Sequence, residues 1–124
     1  FSAMEKAVGR ADLQGDRAIL LMKQDLSTKV FIRDILYCEV FDHKIFIETI
    51  CGRFSYIGTL GSLERQLSGD FFRCHRSYIV NMGHVMDWDG EVATMAGNGR
   101  IFVSRRKKQE FERRLLEVCR REGI

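Results

Sequence analysis

The sequence contains no proline, no internal repeat and no low-complexity segment. Its longest uninterrupted apolar run, Ala18 to Met22, falls far short of the roughly 20 residues that cross a bilayer, and no charged-then-apolar leader opens the chain. These absences predict a soluble, cytoplasmic chain with no membrane partner. The four cysteines, Cys38, Cys51, Cys74 and Cys119, share neither a CxxC nor any other close metal spacing, so no metal and no cofactor is expected. Three of them sit inside apolar runs, where a thiol packs like a small hydrophobe, and the thiols are expected to be reduced and mostly buried. Paired carboxylates of the kind a metal-dependent nuclease uses are missing as well, because the acids are scattered among turns and helix faces. The scatter of Asp42, His43, Cys74 and His75 has nothing to order it into a nucleophile, base and orienting group, so the chain is not expected to be an enzyme.

What is present fits one core: 124 residues, 45% of them hydrophobic and 30% charged. The net charge of +3 hides an asymmetry. Residues 100 to 124 hold nine Lys and Arg against four Asp and Glu, whereas the other 99 residues hold 11 against 13. A basic end on a nearly neutral body suits a surface that meets a polyanion, although a solvated basic helix face has the same composition. The chain opens on Phe1 rather than methionine, so it is expected to be a piece of a longer protein.

Ala3, Met4, Ala7, Val8 and Ala11 recur at helix-like spacing, predicting a short helix or connector within residues 1–15, ahead of a domain over 16–124. From Arg17 the pattern becomes β-branched and aromatic, in runs at Ala18 to Lys23, Lys29 to Arg33, Ile35 to Phe41, Ile45 to Ile50 and Arg53 to Ile57. Asp25-Leu26-Ser27, Asp42-His43-Lys44 and Cys51-Gly52 punctuate them, as turns punctuate hairpins. The run from Ile45 to Ile50 has one apolar face and one only partly polar, which predicts a strand covered on both sides. Leu60, Leu63 and Leu67 switch to a helical period that Ser68-Gly69-Asp70 stops. Strands resume at Phe71 to His75, Tyr78 to Asn81, Val85 to Trp88, Glu91 to Met95 and Arg100 to Val103, with turns at Asp89-Gly90 and Gly97-Asn98-Gly99. From Ser104 onward Phe111, Leu115 and Val118 or Cys119 line one stripe of a terminal helix. The fold class expected is mostly β with short helices: about ten short strands in small antiparallel sheets, a C-terminal helix, and loops that carry the chemistry.

The run Phe72-Arg73-Cys74-His75-Arg76-Ser77-Tyr78-Ile79-Val80-Asn81 resembles the signature of the LytTR family, the output module of bacterial transcription regulators. Ile35-Leu36-Tyr37-Cys38-Glu39 resembles that family's hydrophobic strand ending in Glu. The Leu60 to Leu67 helix falls where the family has one, and Gly99 through Arg106 resembles its closing strand and Ser-Arg turn, so the likeness spans roughly residues 16 to 118. The resemblance implies three small antiparallel sheets whose loops enter successive major grooves of double-stranded DNA. It implies base contacts from His43, Arg76 and Arg106, and sugar-phosphate contacts from Asp42, Lys44, Ser77, Arg105 and Lys107. In the first loop the family often has Asn-Tyr where this chain has His43-Lys44, which bears on the sequence read there. A homodimer on a direct repeat is the expected partner arrangement, and a receiver or sensor domain the expected upstream neighbour.

These residue types suit the task. An arginine in the major groove can give two parallel hydrogen bonds to guanine O6 and N7, worth about 1–3 kcal/mol of discrimination, which suits Arg76 and Arg106. His43 can donate from one ring nitrogen and accept at the other, so it could meet a guanine acceptor or a phosphate. Arg105-Arg106-Lys107-Lys108 places four cations where the dipole of the last helix favours anions. Either that turn holds a phosphate on its free amides, or the long side chains snorkel into water.

Elsewhere the structural role outweighs the functional one. His75 is expected to be hydrogen-bonded within the fold, His84 to be exposed near a turn, Trp88 and Tyr78 to be core, and Cys74 to face away from its cationic neighbours instead of sensing oxidants. The rival function is a β-rich interaction module whose basic terminal helix binds an acidic protein or an anionic surface.

Overall fold

The alternating runs become strands wherever a neighbour can pair them. A computed structural model of the chain describes residues 4–8, 17–23, 25–67 and 69–121. Among these the order is β1 (Met4–Val8), β2 (Ala18–Lys23), β3 (Leu26–Phe31), β4 (Ile35–Phe41), β5 (Lys44–Thr49), β6 (Gly52–Ile57), α1 (Leu60–Glu64), β7 (Phe71–His75), β8 (Tyr78–Asn81), β9 (Val85–Trp88), β10 (Val92–Met95), β11 (Arg100–Phe102) and α2 (Lys108–Arg121). Three antiparallel sheets result, in the orders β1-β2-β3, β6-β5-β4-β8-β7 and β11-β10-β9. A mostly β fold in small antiparallel sheets with a C-terminal helix is therefore what forms. Neither helix is long and apolar enough to cross a membrane, among the described residues.

The five-stranded sheet is the centre, and its two faces serve two cores. On one face Cys38, Ile45, Ile47, Phe54, Tyr56 and Ile79 pack with Ile19, Leu21 and Val30 of the first sheet and with Leu60 and Leu63 of α1. Thr59 starts α1 by accepting from the Ser62 N–H, satisfying an amide that the first helical turn leaves free. On the other face Phe72, Val80, Tyr37 and Tyr78 pack with Ala93, Met95 and Ile101 of the third sheet and with Phe111 and Val118 of α2. Each fully buried Ile, Leu or Phe contributes about 1.5–3 kcal/mol relative to leaving it exposed. Asn81, almost fully buried, joins the halves: its amide donates to the Ile35 carbonyl at 2.9 Å and its carbonyl accepts from the Gly83 N–H at 3.0 Å. Gly99 is required by the close approach of the third sheet to the second, since a Cβ there would lie 2.7 Å from the Tyr37 ring.

Several expectations are corrected. The expected helix within residues 1–15 begins instead as a strand, because Met4–Val8 pairs antiparallel with β2, Val8 opposite Ala18 and Met4 opposite Leu21. An open sheet edge offers a full row of backbone partners, whereas so short a segment cannot recover the cost of nucleating a helix; residues 1–3 and 9–15 of that expectation lie outside the described ones. Leu26 and Ser27, expected as turn, are ladder, because the β2–β3 pairing runs to Lys23 opposite Leu26. The expected strand end at Ile32 and Arg33 is a 3-10 turn, Ile32–Asp34. The strand from Ile45 is not covered on both sides: the second face is half open, with Phe46 roofed by the Arg53 guanidinium at 4.6 Å from the ring centre and Ile50 61% exposed just beyond the strand end. A cation over a ring shields it without a second layer of chain.

Candidate nucleic-acid interface

Two hairpins of the central sheet turn at the same end. β4 and β5 pair out to Phe41 opposite Lys44, which leaves Asp42 and His43 as a two-residue turn. Both have positive φ, 54° and 64°, the pattern of the type I′ turn that matches the right-handed twist of the flanking strands. Neither is glycine, so the left-handed backbone costs about 1–2 kcal/mol per residue. Asp42, His43 and Lys44 are all exposed, and the His43 carbonyl accepts from the Gly58 N–H at 3.3 Å.

β7 and β8 pair with His75 opposite Tyr78, leaving Arg76 and Ser77 as the second turn. Its backbone stays out of the left-handed region, and side chains fix it. The Ser77 N–H donates to His75 Nδ1 at 3.0 Å, and the Arg73 guanidinium donates to the Arg76 carbonyl at 2.9 Å while reaching Glu64 at 3.5 Å. The His75 ring also rests on Tyr78, 5.4 Å between centres. Arg76 is exposed and Ser77 half-buried. The first and second turns are neighbours, because β4 lies beside β8, Glu39 opposite Tyr78, and the Val40 N–H donates to the Ser77 carbonyl at 3.0 Å.

The third turn joins the same end. Ser104 donates its N–H to the Cys74 carbonyl on β7 at 2.9 Å, and the 3-10 turn Arg105–Lys107 follows directly before α2. Ser104 makes no side-chain cap, so the first amides of this turn have none. Arg105, Arg106 and Lys107 are exposed, with the Lys107 ammonium 5.7 Å from the centre of the Phe72 ring. His43, Arg76 and Arg106 thus stand on three consecutive turns along one end of the sheet, and the five flanking residues lie with them.

Charge pairing leaves the second and third turns cationic. Among the described residues Arg76, Arg105 and Arg106 form no ion pair, and neither do Arg65, Arg100 and Arg120. Arg53 meets Glu48 at 3.0 Å, Arg114 meets Glu110 at 3.2 Å and Arg113 meets Glu117 at 3.0 Å. The arginines of α2 nearest the turn are thus neutralised by their own helix, while those in the turn are left free for another anion. No three His, Cys, Asp or Glu side chains converge on a point among the described residues.

Other expectations resolve individually. His75 is hydrogen-bonded within the fold, as its place in a strand-like run implied, with Nδ1 accepting from the Ser77 N–H. Arg73 was missed, because its ion partner Glu64 meets it only through tertiary packing and its bond to the Arg76 carbonyl depends on the geometry of the turn. His84 is a correction: it is half-buried, with Nε2 2.8 Å from the Arg33 carbonyl, and ties the 3-10 turn Met82–His84 to the one at Ile32–Asp34. Trp88 packs on Phe111, 4.5 Å between centres, and donates to Glu112 at 2.8 Å. Cys38 and Cys74 are buried, Cys119 is half-buried and Cys51 is exposed. Burial pushes the Cys74 thiol up to about 12, far from the thiolate that oxidant sensing needs.

A family model described as the LytTr DNA-binding domain matches residues 25–116. The sensory transduction protein LytT of Bacillus anthracis is 27% identical over 119 residues, 90% of this chain and 48% of that protein. The chain therefore spans about half the length of that relative. A solved LytTr DNA-binding domain of a methyl-accepting/DNA response regulator from Bacillus cereus superposes with a TM-score of 0.68 at 27% identity, covering 79% of this chain and 95% of that one.

Proposed function

The chain belongs to the LytTR family of DNA-binding domains, and on that premise we propose that it reads double-stranded DNA sequence-specifically through the three turns at one end of its central sheet. The carrying observation is that Arg76, Arg105 and Arg106 are exposed and unpaired on turns that backbone hydrogen bonds hold side by side. His43, Arg76 and Arg106 take the base edges, Arg76 and Arg106 reading guanine. Lys44, Ser77, Arg105 and Lys107 take phosphates. Asp42 joins them through its backbone amide, since a carboxylate would repel the phosphate.

Strand spacing limits how the turns are shared among grooves. The tips of the two hairpins lie two strand spacings apart, about 10 Å. Successive major grooves repeat every ~34 Å. His43 and Arg76 therefore meet one short stretch of duplex, and Arg106, farther along, is the residue placed toward the next groove. We assign the domain no catalytic role. The unit is residues 16–124, with residues 1–15 leading back through β1 to an upstream receiver or sensor domain of a cytoplasmic two-component response regulator. Two copies occupy a direct repeat one or two helical turns apart.

Selection of bound duplexes from a random pool, followed by titration of the winner against salt, tests this reading. A defined site is expected, with affinity falling about 100-fold between 50 and 200 mM salt for roughly four phosphate contacts. Arg76→Ala and Arg106→Ala should lower the preference for the winner over a scrambled duplex by about 10- to 100-fold, and Lys107→Ala should weaken both duplexes equally. Binding indifferent to sequence would instead identify a basic interaction module.

A further inference from the structure

We infer that Phe41 is a specificity-determining residue that packs against the C5-methyl group of a thymine beside the bases read by His43, an inference that rests on the DNA-binding reading above. Phe41 is 71% exposed, the highest value among the exposed large hydrophobic side chains. It is the last residue of β4, on the rung immediately behind the Asp42-His43 turn, opposite Lys44. Among the described residues no ring or cation contacts it, whereas Phe46, two rungs farther back on the same face, lies under both Arg53 and Lys44. The fold covers the aromatic ring remote from the tip and leaves the one at the tip bare.

Geometry identifies what covers it. The Phe41–Lys44 rung lies about one residue, ~3.4 Å, behind the tip of the turn. The major groove is ~8.5 Å deep and admits a two-stranded ribbon, so a hairpin that places His43 at base edges brings this rung inside the groove. Ile57, opposite Lys44 on the third strand and 68% exposed, is a further strand spacing away and falls at the groove wall. Within the major groove the apolar group on a base edge is the thymine methyl, the recognised partner of small apolar and Phe side chains. Lys44 on the same rung supplies the phosphate contact beside it.

The test uses the selected duplex with each thymine replaced in turn by deoxyuridine, which removes only the methyl group, and measures binding by fluorescence anisotropy for the wild type and for Phe41→Ala. One replacement within the stretch next to the His43 contact should weaken the wild type about four-fold, the transfer free energy of one methyl group. Phe41→Ala should bind the thymine and deoxyuridine duplexes equally well. Phe41→Leu, which keeps an apolar contact, should retain part of the difference, and it serves as the readout if Phe41→Ala binds too weakly. If the wild type prefers the selected duplex yet Phe41→Ala shows the same thymine preference as the wild type, the inference is overturned and the DNA-binding reading stands. A wild type with no preference for any duplex overturns both.

Discussion

The two hairpin turns that share one end of the central sheet are held by opposite means. The Asp42-His43 turn puts two non-glycine residues in the left-handed region, 54° and 64°, and its recorded tether is the His43 carbonyl to Gly58. The Arg76-Ser77 turn has ordinary backbone and is pinned by the His75 ring and the Arg73 guanidinium. In the first turn His43, the side chain proposed to meet DNA, occupies a left-handed position that glycine would adopt with less strain. In the second, the facing side chain costs the fold little, and the expense is displaced to neighbours that hold the loop. One turn stores backbone strain at His43 itself, and the other distributes positioning over the neighbours His75 and Arg73.

The largest expected effect separates pinning from contact. His75→Ala leaves the half-buried Ser77 N–H without its acceptor and removes the ring from Tyr78. It should lower stability by about 1–2 kcal/mol in urea unfolding. It should also weaken binding to the selected duplex about five- to ten-fold, the cost of re-ordering one loop residue on binding. His75→Asn, whose side-chain carbonyl can accept from the same N–H, should recover most of the binding but less of the stability. Binding unchanged in both variants would mean that the second turn needs no pin.

The next effect has the opposite sign. His43→Gly relieves the left-handed strain but adds backbone freedom to the unfolded chain, so stability should rise by about 0.5–1 kcal/mol while affinity for the selected duplex falls. A destabilised His43→Gly would show that the first turn carries no strain and that the contrast between the hairpins is unfounded.

The smallest effect comes from the Asp89-Gly90 turn, used as a control. The Asp89 carboxylate accepts from the Val92 and Glu91 N–H groups, each at 2.8 Å, and these bonds hold it below the usual carboxylate range. Because its folded value is depressed, its contribution is present above the ordinary carboxylate pKa and is lost as pH falls through the folded one. Asp89→Ala should therefore differ slightly from wild type in urea midpoint at pH 6, converge with it as pH falls below about 4, and bind DNA unchanged. A change in DNA affinity would show that this turn, whose Glu91 carbonyl accepts from the Val103 N–H at 3.1 Å, helps to set the Ser104–Lys107 segment.

Much of this was legible in the residues. β2, β4, β7, β8 and β9 begin and end where alternation and punctuation place them, because each is paired at both of its ends with a neighbour. β1 was not, since Met4, Ala7 and Val8 satisfy a helical spacing equally well and only the free edge of β2 decides. The identities of His43, Arg76 and Arg106 came from motif likeness, and their shared end follows from sheet order, which a linear pattern does not reveal. The left-handed pair at Asp42-His43 was hidden because it is imposed by sheet twist on residues other than glycine. Arg73 was hidden because Glu64 reaches it from α1 and the Arg76 carbonyl only once the hairpin turn has formed.

The central claim is that three turns on one end of the sheet meet a single duplex together. A titration of the isotope-labelled domain with its selected duplex, followed by amide NMR, tests it most directly. The account predicts that amides of residues 41–44, 75–78 and 104–107 shift together with one dissociation constant. Shifts confined to the outer face of α2, with those three segments unmoved, would contradict it.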